Sequence, residues 1–66
     1  MKIIAHTKYG VFTSVERTVT EGEFLEVGEF LANVVERGTR FSINTEEGEM
    51  FFSENMIKDS LFILQK

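Results

Sequence analysis

His6 is the only histidine in this chain and Asp59 the only aspartate, so a hydroxyl–imidazole–carboxylate relay has one possible set of parts. Such a relay needs nucleophile, base and orienting acid within hydrogen-bond reach of one another. His6 falls in an N-terminal strand-like run and Asp59 in a polar stretch near the other end, and nothing in their spacing brings them together. We read His6 as a half-exposed strand histidine and rank a His6–Glu hydrolase last. Carboxylates are plentiful: Glu26 with Glu29, and Glu46, Glu47 and Glu49 around Gly48. Glycosidase-type chemistry needs two of them at a fixed separation in a cleft, whereas these sit on the polar side of an expected helix and around a turn. The Glu46–Glu49 cluster offers oxygen ligands to a divalent cation but lacks the alternating order of an EF-hand loop. There is no cysteine, and a lone histidine is poor provision for zinc. Gly22 and Gly28 lack the flanking residues of a phosphate-binding loop. The expectation is a non-enzymatic protein with no cofactor and no metal.

The elements that position these residues belong to one small α+β domain spanning residues 1–66. A chain this short buries a smaller share of its surface than a larger one. Disulfides, metals and association are the usual remedies, and without cysteine or a metal site association remains. The absence of cysteine fits a reducing cytoplasm. No run approaches the roughly 20 apolar residues that span a bilayer, so no membrane segment is expected. The net charge of −4 is unevenly spread: Lys2, Lys8 and Arg17 face only Glu16 in the first twenty residues, while acidic residues dominate from Glu21 to Glu54. Affinity for nucleic acid rests on neutralising phosphates, so an acidic domain argues against it.

Residues 2–19 read as a β-hairpin, with β-branched and aromatic residues on either side of a turn at Tyr9-Gly10. Its register is left open, since a slip of one residue exchanges the two faces. Residues 21–37 read as a helix. Thr20 and Glu23 form a capping box, Gly38 stands where a C′ glycine belongs, and Phe24, Val27, Leu31, Val34 and Val35 make an apolar stripe. A rival reading turns the chain at Glu21-Gly22 and starts a shorter helix near Val27; the cap and the stripe favour the longer one. Residues 40–52 alternate as a second hairpin about Glu47-Gly48, with Ile43 opposite Phe52 and Thr45 opposite Met50. That puts Phe41, Ile43, Met50 and Phe52 on one face and Phe51 on the other. Ser53–Ser60 is expected to be a loop or one helical turn, and Leu61-Phe62-Ile63-Leu64 a strand covered on both faces. The expected order is β-β-α-β-β-β, an antiparallel sheet of about five strands with one helix on one face.

Seven phenylalanines exceed what one layer beneath one helix conceals. Phe51, Phe62, Phe12 and Tyr9 are therefore candidates for a contact surface on the helix-free face, where an exposed apolar patch marks an interaction site. Arg40, on the strand face shared by Ser42 and Phe51, is a further candidate that suits an anionic ligand. The row Glu21, Glu26, Glu29 and Glu36 could imitate a phosphate backbone, but a face kept acidic for solubility explains it more simply.

The run Phe41-Ser42-Ile43-Asn44-Thr45-Glu46-Glu47-Gly48-Glu49-Met50-Phe51-Phe52, in a compact chain without proline or cysteine, resembles small orphan proteins of bacteriophages and mobile elements. The resemblance is one of style and names no catalytic residue. It implies a protein that binds a host protein or sequesters a small molecule. The expected function is thus protein–protein contact, by homo-oligomerisation or by docking on a host partner as an inhibitor or adaptor. The alternative is a nucleotide-like ligand held between subunits.

Overall fold

The computed structural model describes residues 1–66. Strands β1 (Lys2–Thr7) and β2 (Gly10–Thr13) are followed by helix α1 (Glu21–Arg37), strands β3 (Phe41–Thr45) and β4 (Gly48–Phe52), a short helix α2 (Glu54–Lys58) and strand β5 (Leu61–Gln65). The class is α+β and the strand–helix order is the expected one, but the strands divide into two antiparallel sheets, β2-β1-β5 and β3-β4. A single backbone bond joins them, from Val15 N to Asn44 O at 2.8 Å. Val15 and Val19 therefore lie outside the first hairpin, which ends at Thr13.

Helix α1 begins and ends where its local signals demand. Thr20 Oγ1 accepts from Glu23 N at 3.2 Å, and Glu23 Oε1 accepts from Thr20 N at 3.1 Å. The Thr20 N–H first, and the Thr20 side chain after it, hold the Glu23 carboxyl below the usual carboxylate range. Gly38 closes the helix at φ 68°, its N–H donating to Val34 O. Leu31 and Val34 are buried and Phe24 and Val27 half-buried, but Val35 is exposed, one step off the stripe.

Both hairpins turn on the same four-residue device. Thr7 Oγ1 donates to Gly10 O at 3.0 Å and accepts from Tyr9 N at 3.0 Å. Thr45 Oγ1 does the same with Gly48 O at 2.8 Å and Glu47 N at 3.2 Å. The glycines have φ of 133° and 131°, values that L side chains rarely adopt. The turn pairs are thus Lys8-Tyr9 and Glu46-Glu47, one residue earlier than expected. Ile43 lies opposite Met50 and Phe41 opposite Phe52, correcting the expected partners. The faces survive the correction, because each strand moved by an even step relative to its partner.

The core sits where the inner faces of the two sheets meet both helices. Ala5, Val34, Ile43, Phe52 and Ile57 form its buried centre. Phe41, Phe52 and Phe62 close a triangle of rings with centroids 5.2–5.3 Å apart, one pair stacked and two edge-to-face. Ala5 lies between Phe12 on β2 and Phe62 on β5, and its small side chain leaves room for a ring on each flank. With a shortest extent of 15 Å, the molecule has room for one core layer.

Candidate contact faces

Ala5 is fully buried, so the alternate residues of β1 point away from the core. Cross-strand partners share a face, and the register then builds the outer surface row by row. Val11, His6 and Leu61 form one row; Thr13, Ile4 and Ile63 form the next; Lys2 and Gln65 complete it. Leu61 is 73% exposed, Val11 59% and Ile63 46%, and none of these eight residues is acidic. β5 is therefore covered on its inner face alone, contrary to expectation. A domain with one core layer has nothing to lay over the other side.

The five expected contact residues separate. Phe62 turns inward and joins the aromatic triangle, half-buried. Phe12 also faces inward, across from Ala5, and is half-buried. Tyr9 is exposed at the tip of the first hairpin with Lys8 Nζ 5.5 Å from its ring centroid. Phe51 stands 70% exposed on the outer face of β4, opposite Ser42. Arg40 is exposed just before β3 begins. Phe62 and Phe12 are thus fold residues, and the outward positions of the first sheet fall instead to Leu61, Ile63 and Val11. The signal that would have found them is the parity of β5 against β1, which depends on a register that no local pattern gives.

The outer face of β3-β4 is polar apart from Phe51. Ser42 Oγ donates to Glu49 Oε2 at 2.6 Å, so this face carries a carboxylate beside Ser42. An open depression of about 760 Å³ lies between the hairpins, where Glu16, Glu46, Glu47 and Glu49 face Lys2. Three or more His, Asp and Glu side chains nowhere gather in the arrangement a metal ion needs. A smaller apolar groove of about 210 Å³ runs between α1 and β3, past Val27, Phe30 and Phe41. It is below the usual range of about 300–1,000 Å³ for small-molecule pockets. No helix is long and apolar enough to cross a membrane. Comparison of the chain with family models, with curated proteins and with solved structures finds no match.

Proposed function

We propose that this chain is a non-enzymatic cytoplasmic protein that works by contact, presenting the outer face of β2-β1-β5 to a protein surface, its own copy or a host protein. The observation that carries this reading is the alignment of Val11, Leu61 and Ile63 on one exposed face whose strand residues include no carboxylate. Depletion of charge around apolar anchors, here Leu61 and Ile63 rather than Val11, which borders the acidic depression, is the compositional mark of an interface core. The acidic side of α1, with Glu26, Glu29 and Glu36 exposed, would speed approach to a basic partner. An inhibitor or adaptor role agrees with the resemblance to small phage proteins. The nucleotide-like alternative has less support, since the face that Ser42 shares with Phe51 also carries the Glu49 carboxylate.

The test is a double variant, His6→Glu with Val11→Glu, whose fold is checked by circular dichroism. Both side chains are exposed but stand opposite each other, so the two carboxylates weaken the β1-β2 pairing by up to about 1 kcal/mol, and the comparison rests on a circular dichroism spectrum that matches wild type. Wild type is expected to retain a bacterial protein, or to self-associate on its outer face, and the variant to do neither. Identical behaviour of the two would sink the reading.

A further inference from the structure

An open sheet edge is a template for another strand, and proteins block such edges with charges, prolines, bulges or covering segments. Here the edge of β3 is met by the Val15–Asn44 bond, which also carries the chain away from the end of β2. β2 itself is only four residues long. β4 carries Glu49 and leads directly into α2. β5 differs from all of these. Leu61–Gln65 holds no charge, no proline and no glycine, and its backbone bonds to β1 alone.

We propose that β5 pairs with β5 of a second copy, antiparallel about a two-fold axis at Ile63, joining two three-stranded sheets into one of six strands. The strand is complementary to itself in this register. Leu61 meets Gln65 of the second copy and Phe62 meets its Leu64, so outward residues stay outward and inward residues inward. The charges at its ends agree with the antiparallel sense. Lys66, whose Nζ lies 3.6 Å from Glu21 of its own chain on an exposed pair, follows the strand and Asp59 precedes it by two residues, while the Lys58 stem lies against Gly38, with Cε 4.0 Å from where a β-carbon would be. Antiparallel pairing brings Lys66 toward Asp59 of the other copy, whereas parallel pairing would set Lys66 beside Lys66. The carboxylates of the inter-hairpin depression border the β2 side of the sheet, so pairing through the β2 edge would bring like charges together. The pairing deepens the contact reading and rests on it in one respect: it doubles the outer face that a partner would meet.

The experiment is a charge swap on the axis. Like charges directly opposite each other on a sheet destabilise the pair, and opposite charges support it. Sedimentation of wild type is expected to show a dimer that grows with concentration. Ile63→Lys alone and Ile63→Glu alone are each expected to be monomeric with wild-type circular dichroism, and their equimolar mixture to dimerise again. A wild-type monomer at every attainable concentration, dimers that persist in either single variant, or a mixture that stays monomeric would each overturn the proposal. Should a variant fail to fold, hydrogen exchange on wild type decides: alternate β5 amides gain protection on concentration, and unchanged exchange refutes the pairing. The His6→Glu, Val11→Glu variant changes no β5 residue. If it loses a captured partner while wild type is monomeric, the contact reading stands and the β5 pairing falls.

Discussion

The two hairpins share a turn and differ in what they show the outside. Thr7-Lys8-Tyr9-Gly10 and Thr45-Glu46-Glu47-Gly48 fold alike, down to the threonine hydroxyl that donates to the glycine carbonyl. Both hairpins also send their inward residues into one core. On the outside, β3-β4 presents Ser42, Asn44, Glu49 and Phe51, with Ser42 and Glu49 hydrogen-bonded to each other. The first hairpin, extended by β5, presents Val11, Ile4, Ile63 and Leu61 around His6. Since turn chemistry and core duty are common to both, neither explains the difference. The outer face of the first sheet thus carries four apolar residues that neither turn nor core requires, and the proposed contact would use them.

The comparison breaks first if the inward sides are not equivalent. Phe52→Ala removes a fully buried ring that touches both sheets through Phe41 and Phe62. It is expected to destabilise by about 3–5 kcal/mol, which in so small a domain unfolds much of the population, as chemical denaturation would read. The shared turn is tested next. Gly10→Ala and Gly48→Ala each force a side chain onto a backbone at φ near 130°, with an expected loss of about 1–3 kcal/mol apiece. Open space surrounds the Gly48 position and only Phe12 lies near Gly10, at 4.0 Å, so the backbone sets both losses and they should be similar. A loss at one turn alone would show that the hairpins are not alike in energy.

How much of this was legible in the sequence follows from how local each signal is. Helix α1 was readable from end to end, because Thr20, Glu23, the stripe and Gly38 act within a turn or two of one another. The hairpin registers were not, because each glycine follows its turn pair rather than belonging to it. The repeated Thr-x-x-Gly spacing was present in the chain and would have placed both turns. The apolar run in β5 reads equally well as covered on one face or on two. Only its pairing of Ala5 with Phe62 decides that Phe62 is a core ring and Leu61 an exposed one. The exposure of Phe51 was legible, since alternation along β4 holds under either register.

Smaller effects sharpen the same contrast. Thr20→Ala removes one half of the capping box and is expected to cost about 1 kcal/mol, seen in the midpoint of thermal unfolding and unconnected with either outer face. The capping box also carries a pH signature. The Glu23 carboxyl has a lower pKa folded than unfolded, so its contribution is present above the unfolded value and is lost as pH falls through the folded one. Stability of wild type should therefore decline more steeply on acidification than that of Glu23→Gln, a difference that parallel melts below the neutral range would reveal. The smallest effect expected on stability is that of Phe51→Ser, within about 0.5 kcal/mol for an exposed position. Its association should match that of wild type.

The most direct measurement is side-chain labelling by hydroxyl radicals, followed as the chain is concentrated from dilute solution. Modification of Leu61 and Ile63 should fall while that of Phe51 stays constant. Protection of Phe51 with Leu61 and Ile63 unchanged, or no protection at any of the three either on concentration or with a captured partner bound, would contradict the assignment of contact to the first sheet.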